Sequence, residues 1–425
     1  MTIKYNWQDL QKRIINGREV EKVMYNGVQI RPSSTPPTFD DYLYFQIQPN
    51  GTFYLSLQRR NRPTEVSLEI SYDKQNWEDY TIGRDITITQ LTTIYFRNKS
   101  ETPTEFGSWM NMAYYYFAYY GDGVVYCWWD VTSLLCKYWA TALTSDWCFM
   151  SLFTGMPIVT APKLTATTLT SYCYASMFNG CNLLTTAPTL PATTMAYECY
   201  MGMFSGCSSL TTAPTLPATT LAPECYQGMF QGCSSLTTAP ALPVTNLSGG
   251  CYGGMFSGCT SLTTAPALPA TTLADRCYTQ MFEYCTSLTA APNLPATALV
   301  DDGYYGMFSN CTSLVSIPPL PATSLARTCY TCMFENCTSL EILPELPATQ
   351  MARFSCYERM FIWCTKIKIS TTQTGEYQTP YRIPTSWTGI PWSQSDTERM
   401  FEGTWWTFTG TPSLNTTYYT SNTVI

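Results

Sequence analysis

The chain has 425 residues, with 23 Lys+Arg against 30 Asp+Glu and no histidine. The missing imidazole excludes Ser-His-Asp and Cys-His nucleophile systems and every His-bearing zinc site. A net charge of −7 argues against nucleic-acid binding, which needs a basic stripe.

No run of about 18 apolar residues could span a membrane, so membrane insertion is not expected. The start MTIKYNWQDLQKRIINGREVEK lacks the basic-then-apolar pattern of a secretory signal. Folding in a cytoplasm is therefore expected.

Residues 1–32 read as a docking segment. A short polar helix around Trp7 and Leu10 precedes two Asn-Gly dipeptides, Asn16-Gly17 and Asn26-Gly27, the strongest short hairpin signal. Strands are predicted at 13–15, 18–25 and 28–30. So small a sheet is marginal alone, which makes Trp7, Leu10, Val20, Val23 and Val28 candidate docking residues. Residues 33–39 are a proline-rich linker.

Residues 40–147 alternate as short strands with regular turns, the pattern of a small β-sandwich. Their end, MNMAYYYFAYYGDGVVYCWW, is crowded with aromatics. Those rings can cap whatever follows or offer a platform for sugar rings.

Residues 148–369 are periodic. Met-Phe recurs at Met177, Met203, Met229, Met255, Met281, Met307 and Met333, always 26 residues apart, with a further copy at Met360. Within one unit Leu221, Cys225, Met229 and Cys233 lie four apart, which predicts an apolar stripe on a short helix. Thr219 and Thr220 would cap it and Pro223 would sit in its first turn. The S-L-T-T-A-P stretch predicts a short strand. Stacked units of this kind make an α/β solenoid of leucine-rich-repeat type.

Sixteen of 19 cysteines fall between Cys173 and Cys364. Zinc sites want C-x2–4-C, and the one C-x-x-C is Cys329–Cys332. Gly303 replaces one repeat cysteine, leaving an orphan in any disulfide scheme. Reduced core thiols, acting as small hydrophobes, are therefore expected. On that reading Cys259→Ser leaves a poorly satisfied hydroxyl, at about 1–3 kcal/mol.

Thr185, Thr211, Thr237 and Thr263 would form one row at strand spacing, a candidate recognition surface. The row decays at Ala290, Val315, Glu341 and Ile342, which favours a solvated β face over a lattice-matching one. Residues 370–425 read as a C-terminal cap.

The unit LPATTLAxxCYxxMFxGCTSLTTAP resembles the repeats of BspA-type leucine-rich-repeat surface proteins of gut Bacteroidales. ISYDKQNWEDYTI, TIYFRN and the ending MFEGTWWTFTGTPSLNTTYY are similar to the flanking segments of those proteins. The opening INGREVEKVMYNGVQIRP resembles attachment modules on virion proteins of crAss-like and other Bacteroidales phages.

These resemblances imply a non-enzymatic phage virion protein, a head fibre or tail-associated fibre, assembled in the host bacterial cytoplasm. Residues 1–32 would dock on capsid or tail proteins, and the repeats would contact a host cell-surface protein or polysaccharide. A homo-oligomer, for instance a trimer, is expected. The alternatives are a bacterial cell-surface adhesin and a glycan-degrading enzyme. Asp301 and Asp302 are adjacent and Glu283, Glu335 and Glu341 are scattered, unlike a glycosidase pair. No catalytic residue, metal or cofactor is expected.

Overall fold

The computed structural model describes residues 14–15, 18–19, 23–25, 28–30, 42–61, 65–100, 103–108, 112–135, 140–348, 350–351, 355–383, 386–387, 397–404 and 417–425. The chain divides into two units, Met1–Asp41 and Tyr42–Ile425.

In the first unit β1 (Ile14–Ile15) pairs antiparallel with β2 (Arg18–Glu19). β3 (Val23–Tyr25) pairs likewise with β4 (Val28–Ile30). Four short strands thus flank the two Asn-Gly dipeptides, where three were predicted.

The second unit opens with two sheets. β5 (Leu43–Pro49), β10 (Thr92–Asn98), β7 (Leu68–Ser71), β8 (Glu78–Tyr80) and β13 (Gly123–Trp128) lie in one. β6 (Phe53–Arg60), β9 (Ile86–Ile88), β11 (Gly107–Ser108) and β12 (Ala113–Tyr120) form the other. Alternating apolar residues point inward, and Phe45 and Phe96 meet Phe117 edge-on at 4.7 and 5.3 Å between ring centroids.

β14 (Ile158–Thr160) joins the larger sheet parallel to β13. Phe117 also stacks on Phe153 at 5.7 Å. The core of the sheets therefore runs without a break into the repeats.

The expected α/β solenoid of leucine-rich-repeat type does not form. The described residues are nearly all β and turn, in several sheets, with no α-helix. One 3-10 turn, Val131–Leu134, is the sole helical element among them. The segment predicted as a helix is a run of overlapping four-residue turns. Within it Met177 N–H donates to Tyr174 O and Cys181 N–H to Phe178 O.

The intervening donors leave the unit altogether. Tyr174, Ser176, Phe178 and Gly180 N–H donate to Cys199, Met201, Met203 and Ser205 O of the next repeat, at 2.7–2.9 Å. A helix would use those donors within the segment. Every fourth residue takes positive φ, as at Tyr172 (58°), Ser176 (55°) and Gly180 (72°). No α-helix accommodates that. The four-residue spacing thus belongs to the turns: a 3.6-residue helix would carry residues four apart about 40° round its surface at each step.

The predicted strand is likewise a line of single parallel bridges, Thr160 to Thr186 to Thr212 to Thr238. Thr219 and Thr220 cap nothing. They are exposed, and Thr220 bridges Thr194 of the preceding repeat.

This register lines up identical side chains. Phe178, Phe204, Phe230, Phe256, Phe282, Phe308 and Phe334 stack with centroids 5.6–5.8 Å apart. A tyrosine column from Tyr174 to Tyr357 does the same. Both columns are fully buried. Gly180, Gly206, Gly232 and Gly258 all have positive φ, and their backbones approach so closely that a Cβ on one would lie 3.4–3.7 Å from the glycine before it. Asn310 and Asn336 continue the line with an amide hydrogen bond of 2.9 Å.

Phe401 stacks on Phe361 at 5.6 Å. β15 (Ile369–Ser370), β17 (Thr417–Thr420) and β16 (Thr379–Arg382) then form a three-stranded sheet.

Candidate recognition surfaces

Thr185, Thr211, Thr237 and Thr263 are all exposed, on the edge that carries the parallel bridges. The hydroxyl of Thr237 donates to Thr211 O at 3.4 Å, toward the preceding repeat. Thr193, Thr219, Thr245 and Thr271 make a second exposed row, which the helix assignment concealed. Among the candidate docking residues, Trp7, Leu10 and Val20 lie outside the described residues. Val23 pairs with Ile30, and Val28 with Tyr25.

Most of the scattered acids tie neighbouring repeats together, and Glu283 stays within its own. Asp302 faces Arg276 at 3.3 Å and Arg327 at 3.8 Å, and Asp301 faces Arg327 at 3.6 Å. Glu335 holds Arg359 at 2.6 Å and Glu341 holds Lys366 at 2.8 Å. Glu283 accepts from the Gln280 amide at 3.0 Å. The exposed pairs, Asp301–Arg327 and Glu341–Lys366, each contribute at most about 1 kcal/mol.

All eighteen described cysteines are free and buried. They are more than small hydrophobes. Cys181, Cys207, Cys233, Cys259, Cys285, Cys311, Cys337 and Cys364 each donate Sγ–H to a phenylalanine carbonyl of the preceding repeat, at 3.0–3.1 Å. Phe230 O, for example, accepts both Cys233 N–H and the Cys259 thiol.

That corrects the expectation for Cys259→Ser, because a serine hydroxyl meets a waiting acceptor. Cys259→Ala removes the donor, strands part of a buried carbonyl, and should lose about 1–3 kcal/mol. Serine should lose less than alanine. Urea midpoints of the two variants check this, and an alanine variant as stable as wild type would contradict it.

Burial holds these thiols protonated. Cys251 is pushed up to about 11, and Cys207, Cys277 and Cys285 to about 12. The unfolded chain releases such protons near its ordinary thiol value of about 8.5. The stabilisation is therefore complete below that pH and is lost as pH rises toward the folded values. Each such thiol contributes a slope of about 1.4 kcal/mol per pH unit in that window. The urea midpoint should fall steeply between about pH 9 and 11. An unchanged midpoint across that range would refute the buried-thiol columns.

Cys329 and Cys332 are both buried. Among the described residues no group of three or more His, Cys, Asp or Glu side chains could hold a metal ion.

Aromatic side chains gather in two groups that are partly buried. On the larger sheet Tyr44 packs against Tyr95 at 5.1 Å and Trp128 at 5.2 Å, and Tyr126 stacks on Trp128. On the other, a line crosses from the sheets onto the first repeats. It runs from Tyr116 to Tyr114 (6.1 Å), Trp147 (6.5 Å), Tyr172 (4.6 Å) and Tyr197 (5.3 Å). The Arg60 guanidinium lies 6.0 Å from the Tyr114 ring centre.

Past Tyr197 stand Glu198, buried, and Glu224, half-buried, in successive repeats. Burial first, and then the Glu198 charge, raise the Glu224 carboxyl above its ordinary range. The neighbouring Glu198 carboxyl raises the Tyr197 phenol above its ordinary value.

No protein-family model matches the chain, and neither a curated protein nor a solved structure does.

Proposed function

We propose that this chain is a non-enzymatic phage virion protein, a head fibre or tail-associated fibre. Residues 1–32 attach it to capsid or tail proteins, as a homo-oligomer. Its repeats are presented to a host-surface protein or polysaccharide.

The observation carrying the recognition role is a contrast between columns. Inside, Tyr, Met, Phe and Cys recur in nearly every repeat. By contrast, the column that begins at Tyr172 varies along the stack, through Glu198, Glu224, Gly250, Arg276, Asp302 and Thr328, with Glu198 and Gly250 buried and Arg276 exposed. Packing demands the first set and not the second, as expected of a scaffold that displays variable contacts. The paired acids support binding rather than hydrolysis, since their oxygens are engaged by arginines of neighbouring repeats. The virion assignment rests on the resemblance of the opening segment.

Mass spectrometry of purified phage particles tests the reading. Peptides from both ends of the chain should be present at structural-protein abundance. Recovery of the chain only from the outer membrane of uninfected bacteria would replace this reading with the adhesin. Polysaccharide cleavage that is abolished by Asp301→Ala would replace it with an enzyme.

A further inference from the structure

The tyrosine column carries a chemical demand that the phenylalanine column does not. Its rings, from Tyr174 to Tyr357, are each at most 2% exposed. The hydroxyls of Tyr174 and Tyr200 are buried and have no hydrogen-bond partner among the described residues. Burial raises both phenols, so each keeps a hydrogen to donate. Two polar groups that act on Tyr174 are turned elsewhere: Asp130 accepts from Thr132 and Thr165, and the Cys173 thiol reaches toward Cys199 O at 4.0 Å. A buried hydroxyl left without a partner is costly. The phenylalanine column shows that the stack accepts a ring without one.

The stacking fixes what partner would fit. From Tyr174 to Tyr278 successive rings are parallel within 7° and 5.7–6.1 Å apart. Rings repeated by one 26-residue register carry their hydroxyl oxygens at about the same spacing. An O–H···O bond reaches only about 3.0 Å, so neighbouring hydroxyls are too far apart to bond each other. Half the spacing is about 2.9–3.0 Å, at the upper end of that bond's range. One small group that both donates and accepts, set midway, therefore satisfies two tyrosines at once.

We propose that an ordered water bridges each successive pair of tyrosine hydroxyls, so that a file of internal waters runs inside the repeats from the gap between Tyr174 and Tyr200. Each water accepts from one phenol and donates to the next. Every hydroxyl between two such waters then has both a donor and an acceptor, the use that buried polar groups make of internal water. The file is independent of what the repeats bind outside.

A crystal structure of the full chain, at a resolution that shows ordered water, tests the proposal. One water should lie within about 3 Å of both hydroxyls in the Tyr174–Tyr200 gap and in the Tyr200–Tyr226 gap. Tyr200→Phe keeps the ring and should lose both waters with its neighbours in place. In solution, oxygen-17 relaxation dispersion counts long-lived internal waters. Its amplitude should fall in Tyr200→Phe and stay at the wild-type level in Tyr284→Phe, where the ring is exposed. Dry gaps in the wild type, hydroxyls turned to protein acceptors, or an unchanged amplitude in Tyr200→Phe would each overturn the proposal.

Discussion

Phe230→Ala should destabilise the protein by about 3–5 kcal/mol, the range for a fully buried aromatic truncated to a methyl. Phe230 is wholly buried, between Phe204 at 5.7 Å and Phe256 at 5.8 Å. Both stacked contacts vanish together, and each aromatic pair contributes about 0.5–1.5 kcal/mol beyond its buried area. The hole opens at two inter-repeat interfaces, and a repeat array draws its stability from such nearest-neighbour interfaces. Urea unfolding followed by tyrosine and tryptophan fluorescence measures the loss. A loss below about 1 kcal/mol, the size of a surface substitution, would mean that the phenylalanine column does not hold adjacent repeats together.

Gly121→Ala should be comparably damaging, for a backbone reason. Gly121 joins β12 to β13 with φ of +105°, and a Cβ there would collide with Thr52 O. Strain at such a φ costs about 1–3 kcal/mol, and displacing the neighbouring backbone costs about 1–3 kcal/mol more. Gly51 separates the two contributions. Its φ is +99°, but nothing lies within 4 Å of its would-be Cβ. Gly51→Ala should therefore show the strain alone, and equal losses at the two positions would remove the collision from the account.

The period of 26 and the identity of the buried side chains were legible in the sequence, because both follow from recurrence alone. The backbone path was not. Residues four apart suggest a helix when only the spacing of apolar residues is weighed. The contrary signal was present in the glycines: Gly202, Gly206, Gly228, Gly232, Gly254 and Gly258 sit inside the supposed helices. Each would cost a helix about 1 kcal/mol, and each occupies a positive-φ position.

The threonine rows could be placed on one edge from the repeat alone, but the direction of their hydroxyls could not. The line from Tyr114 to Tyr197 was not legible, because cross-repeat register, rather than proximity in sequence, brings its rings together. The role of the cysteines was half legible. Their burial and reduced state follow from composition, whereas the phenylalanine carbonyls they satisfy appear only once the turns are seen.

The central claim is that each repeat is bonded to its two neighbours by backbone hydrogen bonds in a 26-residue register. Deleting residues 231–256 tests it most directly, since Phe230 then precedes Ser257 and every column keeps its order. That variant should retain its near-UV circular dichroism and unfold in one cooperative step, somewhat below wild type. Removing half a repeat, residues 231–243, should abolish both. Collapse of the whole-repeat deletion, or equal tolerance of the two deletions, would contradict the account.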